Sequence, residues 1–375
     1  MIINNKRALA YTSRISEIYP IDGADNIELA QVLGWKVIVK KSEFKIGDLC
    51  VFFEIDSKLP EADWSEFMRS KNFKVKTMKL NKFNVISQGL ALPIKNFLTL
   101  HIPEKELIDL TDELGVTYYE VEDNARKADV LLDNVKFKKK RIWKFLMKYN
   151  WFRKILFYFL SRKEKQEMFP AFISKTDEER IENQPFRLKD NITQYVLTEK
   201  LDGTSCTYGM KRIKKNKFKF FVCSRNKNIQ KDDTSIYWQL NKKYQIENVL
   251  RTYLEENSNE NWIYIQGEGL APKVQGNPYK LQEPDLYLFN LVTSSSGRNS
   301  SYDGKSFAEK NKMKWVPILG VSVLPCDMEE LKQQAVGYSV LNENTIREGI
   351  VYRTLDGKDS FKNVSREYLL KRYKN

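Results

Sequence analysis

The sequence predicts an α+β protein in which a small all-β barrel precedes a larger mixed domain. Three observations carry that prediction. At 375 residues, with 42% of them hydrophobic, the chain exceeds the roughly 250–300 residues at which single cores stop growing. Its first hundred residues read as short runs of alternating polarity separated by turns. After residue 169 strand-like runs mix with helical stretches and show no βαβ rhythm.

The barrel elements come first. Leu9 to Ile18 leads into the turn-rich Pro20-Ile-Asp-Gly-Ala-Asp25. Strand runs follow at Glu28 to Leu33, Trp35 to Lys40, Leu49 to Ile55 and Phe73 to Met78, with turns such as Ile46-Gly47-Asp48 between them. Closely spaced strands of this kind suit a small closed barrel; the OB-fold, a frequent nucleic-acid carrier, is one, and barrels without any ligand share the pattern. The boundaries expected are 1–115 for the barrel, 116–168 for a basic helical linker and 169–375 for the mixed domain.

Residues 103 to 132 read as a polar connection. From Lys136 to Lys165 there are twelve basic residues and one acid, Glu164, with aromatics interleaved. Such a segment can lie on phosphates, rest on a membrane surface, or bridge two domains with its lysines snorkelling to water; the bridge is favoured. Lys144, Lys148, Arg153 and Lys154 interrupt the apolar run from Trp143 to Leu160, which argues against a membrane span. The net charge of +14 favours a polyanionic partner without naming it. Cys50, Cys206, Cys223 and Cys326 lack metal-ligand spacing and His101 is the sole histidine, so a zinc site or histidine relay is not expected. Free thiols and the absence of a long apolar leader point to a protein that is cytoplasmic or otherwise intracellular and not secreted.

In the second domain Thr176-Asp-Glu-Glu179 has the form of a capping box, predicting a helix from that point. Strands are expected at Tyr195 to Thr198, Phe218 to Cys223, Trp262 to Gln266 and Leu286 to Leu291, and a helix from Trp238 to Glu255. The sharpest chemical feature is Glu199-Lys200-Leu-Asp202-Gly203, a turn after a strand. A lysine attacks phosphorus only as the free amine, against an ordinary pKa of about 10.4, so its site must supply desolvation or positive charge. Alone, a Lys-x-Asp-Gly turn also suits an ordinary surface turn. Ser224-Arg225, Gly267-Glu268, Arg347-Glu348-Gly349 and Phe361-Lys362 add carboxylates and cations at strand-sized intervals, and their sum supports one groove for a nucleotide.

On these residues the chain resembles the covalent nucleotidyltransferases, and among them the Deinococcus-type RNA ligases with an N-terminal OB domain. The resemblance spans nearly the whole chain. It implies a nucleotidyltransferase catalytic domain of the ATP-grasp-like RNA/DNA ligase class behind an OB-type barrel. By resemblance, Lys200 is the AMP-accepting lysine, Asp202 and Glu348 hold a divalent metal through water, and Arg225 contacts the nucleotide phosphate and the reacting ends. Glu268 is similar to the acid that binds a ribose hydroxyl, Phe289 to the aromatic that stacks on adenine, and Lys362 to the last phosphate-binding lysine. Phage-type relatives carry Lys-x-Lys there; this chain has Lys362-Asn363-Val364 followed by Ser365, similar to the single-lysine OB-bearing branch. DNA ligases and capping enzymes place their OB domain last, whereas only 13 residues follow Lys362.

The resemblance implies an ATP-dependent RNA ligase using Mg2+ or Mn2+. It would join 3′-hydroxyl and 5′-phosphate ends at nicks in duplex RNA through lysyl-AMP and RNA-adenylylate, in RNA repair, as a monomer away from membranes. An RNA-binding protein with a decayed catalytic domain and a GMP-transferring capping enzyme are the competing expectations.

Overall fold

The computed structural model describes residues 1–4, 6–97, 100–119, 168–175 and 178–372. The basic 136–165 segment and Thr176 of the expected capping box lie outside them. The first strands are β1 (Ala10–Pro20), β2 (Ile27–Val32), β3 (Trp35–Lys40) and β4 (Leu49–Phe53). A hairpin of β5 (Thr77–Leu80) and β6 (Val85–Gln88) follows, then β7 (Leu90–Pro93). Next come β8 (Tyr195–Lys200), β9 (Thr204–Lys214) and β10 (Lys217–Cys223). Helices α1 (Ile236–Tyr244) and α2 (Ile246–Glu256) precede β11 (Trp262–Leu270) and β12 (Asp285–Thr293). Then α3 (Ser301–Lys310), β13 (Lys314–Trp315) and β14 (Ile318–Ser322) lead to α4 (Met328–Gln334). The last elements are β15 (Gly349–Thr354), β16 (Ser360–Val364) and α5 (Arg366–Arg372).

These elements form two compact units, one of Met1–Glu120, Asp177–Leu201 and Val316–Asn375, the other of Val121–Thr176 and Asp202–Trp315. In the first unit a five-stranded antiparallel sheet runs in the order β7-β4-β1-β2-β3. The β5–β6 hairpin meets its edge, where the Ile38 N–H donates to Ser87 Oγ at 3.0 Å. Alternation in β3 buries Trp35, Val37 and Val39, and these pack with Tyr11, Phe52, Val364 and Leu369 in one apolar cluster. A buried polar group survives only when hydrogen-bonded. Asn183 meets that condition by accepting from Trp35 Nε1 at 2.7 Å and donating to Glu54 Oε1 at 2.7 Å. The same unit holds a second antiparallel sheet, β14-β8-β15-β16, over a cluster that includes Tyr195, Tyr352 and Phe361.

The second unit is built on the sheet β10-β9-β11-β12, extended by Gly297–Arg298, with β13 parallel to β12. Leu250, Leu254 and Ile246 of α2 are buried. The stretch expected as one helix is two, broken at Gln245, whose φ of 52° places it in the left-handed region.

Two further expectations are corrected. No α-helix follows Thr176: Glu178 and Glu179 are non-helical and only short 3-10 turns come next, starting at Ile181–Asn183. Glu179 is engaged elsewhere, its carboxylate accepting from the Ile2 N–H and from Gln184 while its carbonyl accepts from Lys362 N. Phe73 to Met78 is not one strand either. Phe73 has φ 58° and follows the 3-10 turn Asp63–Lys71 and its cap Asn72; Lys74 makes an isolated bridge to Lys58, and the strand itself is Thr77–Leu80.

Candidate active site

In the first unit the ladder between β8 and β15 sets Lys200 opposite Gly349, so the residue before Gly349 lies beside the lysine. Lys200 Nζ sits 2.7 Å from Glu348 Oε1. Glu348 is 8% exposed, and among the described residues its Oε2 has no hydrogen-bond partner. A buried carboxylate oxygen left unbonded is costly, and a cation or its hydration water is the ordinary remedy. Several contacts hold Glu348 in place. The Ser365 N–H donates to its carbonyl at 2.9 Å, and the Arg347 guanidinium donates to the Gln334 and Val336 carbonyls at 3.1 and 3.0 Å. Gly349 is required by close approach, because a Cβ there would lie 2.3 Å from the Asn363 carbonyl oxygen.

Lys362 shares this face. Thr198 pairs with Val351 and Val351 with Lys362, and directly opposed residues point to one side of a sheet. Lys200 follows two residues beyond Thr198, on the same side by strand alternation. Strand spacing then separates the two lysines by about 12 Å at Cα. Lys362 also lines a small cavity with Arg7, Glu54, Glu178 and Arg180. The second lysine of the phage-type motif would stand at Val364, which is 4% exposed and belongs to the barrel core cluster. A charge at that position would be buried in apolar surroundings, a physical reason for a single lysine here.

In the second unit Asp202 begins the turn into β9, its N–H donating to Tyr279 Oη at 2.7 Å. Gly203 admits no side chain: a Cβ would lie 2.6 Å from the Gly269 carbonyl oxygen and 2.9 Å from Glu268 Cγ. The Asp-Gly turn is therefore pressed onto the strand that carries Glu268, which pairs with Ser205 on one side and Tyr287 on the other. Phe289 falls at a register shift, since Gly267 pairs with Leu288 and Gln266 with Asn290. This is a β-bulge, a device that re-aims a side chain. Phe289 is accordingly the one partly exposed residue of β12. Arg225 lies just past β10, in the turn closed by the Ser224 N–H to Lys227 carbonyl bond at 2.9 Å.

The structure thus brings Lys200, Glu348 and Lys362 to one sheet of the first unit, and Asp202, Arg225, Glu268 and Phe289 to one end of the sheet in the second. Sequence reasoning missed Arg353 and Glu199. Arg353, 2% exposed, donates to Thr198 Oγ1 and Glu178 Oε1, both at 3.3 Å, on the face of Lys362. Glu199 is buried and accepts from the Val340 N–H at 2.9 Å; burial pushes its carboxyl up, against a hydrogen bond from Ser339. Polar residues alternating into strand interiors were the available signal for both.

Comparison with known proteins gives a consistent answer. Residues 9–94 match a family model described as an OB-fold domain, and residues 193–371 match RNA ligase. No curated protein sequence matches. Among solved structures the chain is similar to Naegleria gruberi RNA ligase with PPi, at 30% identity and TM-score 0.79, covering 98% of this chain and 99% of that one. A mutant of that ligase with ATP and Mn gives 30% identity and TM-score 0.78, covering 98% and 100%. A nucleotidyltransferase domain behind an OB-fold domain is the architecture, and the chain belongs to the RNA ligase family, in the branch whose OB-fold domain comes first.

Proposed function

We propose that the chain is an ATP-dependent ligase that seals 3′-hydroxyl and 5′-phosphate ends at nicks in duplex RNA, in RNA repair. The observation that carries the reading is Lys200 Nζ held 2.7 Å from a nearly buried carboxylate that has a spare oxygen. Lys200, as the free amine, attacks the α-phosphorus of ATP; an N–P bond forms and pyrophosphate leaves. The RNA 5′-phosphate then takes the adenylyl group as the N–P bond breaks. Finally the 3′-hydroxyl attacks the 5′-phosphorus, expelling AMP and leaving a phosphodiester.

In the ground state Glu348 favours protonated Lys200. Asp202 and Glu348 would hold a divalent cation, Mg2+ or Mn2+, through water, and its positive charge would offset this and neutralise phosphate oxygens. Arg225 and Lys362 bind phosphate oxygens whose charge grows in the transition state. Glu268 accepts from a ribose hydroxyl and Phe289 stacks on adenine. A monomer in a reducing intracellular compartment suits the free thiols of Cys50, Cys206, Cys223 and Cys326. Among the described residues no helix is long and apolar enough to cross a membrane.

The test is sealing of nicked duplexes that differ only in the sugar at the 3′-hydroxyl side. Faster sealing with ribose is expected, and equal rates on all-DNA nicks overturn the RNA preference.

A further inference from the structure

From Phe67 to Pro103 the chain carries seven lysines and arginines and no acid. Together with the net eleven positive charges of 136–165, this accounts for more than the whole excess of +14, so the rest of the chain is net negative by four. Basicity here is local, and a general lysine-rich bias does not explain it.

The acid-free stretch contains the β5–β6 hairpin. An isolated two-stranded hairpin is marginal, but this one is anchored. Gln88 at the end of β6 accepts from Lys332 Nζ at 3.0 Å and Arg366 Nε at 3.1 Å, and α5 packs against β5. Lys79 on β5 and Lys82 in the turn are exposed. Lys71, also exposed, is drawn onto the strand by a 3.1 Å contact with Met78 Sδ, and Lys371 lies in the last turn of α5. Among the described residues neither Lys79 nor Lys82 makes an ion pair, and Lys82 lies over the Phe83 ring at 5.0 Å. Lys79 near the end of β5 and Lys82 in the turn that follows it place two exposed cations at the tip of the hairpin.

We infer that the β5–β6 hairpin is an arm that grips the phosphate backbone of the RNA flanking the break, without reading sequence. This rests on the reading of the chain as an RNA ligase and assigns its substrate grip to a definite surface of the OB-fold domain. The hairpin tip carries cations and asparagines, Asn81 and Asn84, a composition suited to phosphate contact more than to base recognition.

The experiment uses the full chain and its K79A/K82A variant with a labelled nicked RNA duplex, measuring affinity from 50 to 200 mM salt. Two lost phosphate contacts lower the slope of log affinity against log salt by about 1.8, so the parent loses about tenfold more affinity than the variant across that range. Self-adenylylation by ATP is expected to be equal in both, which separates failure of the arm from failure of the ligase reading. K305A/K310A on α3 removes the same charge elsewhere and is expected to keep the parental slope. An unchanged slope in K79A/K82A, or an equal fall in the α3 control, overturns the inference. So does preferential competition by polyglutamate over RNA, which would assign the arm to an acidic protein.

Discussion

Removing one member of the buried ion pair beneath the catalytic strands is expected to destabilise the first unit far more than removing both. Lys332 Nζ lies 3.1 Å from Glu182 Oε1, with side chains 2% and 0% exposed. Among the described residues neither Glu182 oxygen has a hydrogen bond of sound geometry, so the Lys332 charge is its close compensation, with Arg180 next. Burial opposes ionisation of Glu182, but Lys332 and Arg180 overcome it and hold the carboxyl below its usual range. Burial draws the Lys332 amine down to about 8, partly offset by Glu182, so both groups are charged at neutral pH. Breaking such a pair costs about 3–5 kcal/mol, whereas replacing both partners by apolar groups of similar volume is often neutral. For a unit of about 200 residues each kcal/mol shifts Tm by roughly 2–4 °C. K332M is therefore expected to lower Tm by about 10 °C at pH 7, and K332M/E182M to recover most of the loss, read by thermal and urea unfolding. A K332M protein within about 1 kcal/mol of the parent, or a double variant as unstable as K332M, refutes the reasoning.

Two other outcomes follow from the same structure. Glu329 is held at about 2 by Arg366, which pairs with it at 2.5 Å, with Lys36 assisting. A depressed carboxyl contributes stability above its unfolded pKa of about 4.3 that is lost as pH falls through the folded value. Because its side chain is 44% exposed, screening reduces this to about 1 kcal/mol; E329Q is expected to flatten the acid limb between pH 4.5 and 2 by that amount, and an unaltered limb contradicts it. Gly349→Ala places a Cβ against the Asn363 carbonyl oxygen. It is expected to cost about 1–3 kcal/mol by overpacking and to slow self-adenylylation through displacement of Glu348; parental stability in urea unfolding together with parental adenylylation rates contradicts it.

Much of this was legible in the chain. Apolar runs located β1, β3, β4, β8, β10 and β11, with one face buried in β3 and both faces in β4 and β11, and the motif residues carried the family. The failures are physical. The Thr176 to Glu179 pattern reads as a capping box only if Glu179 is free to answer, and here Ile2, Gln184 and Lys362 claim it. The bulge that projects Phe289 depends on a cross-strand register with Gln266 and Gly267, which no local window contains. Arg353 and Lys332 owe their roles to partners far away in sequence, Glu178 and Glu182. The first unit joins three separate segments, an arrangement fixed by long-range packing and invisible to periodicity.

The central claim is covalent capture of AMP by Lys200. Intact mass measured after incubation with ATP and a divalent cation, following treatment with pyrophosphate to clear enzyme already adenylylated, tests it directly. The account predicts one AMP on the parent protein, released again by pyrophosphate, and none on K200A; an unmodified parent, or an adduct that persists on K200A, contradicts it.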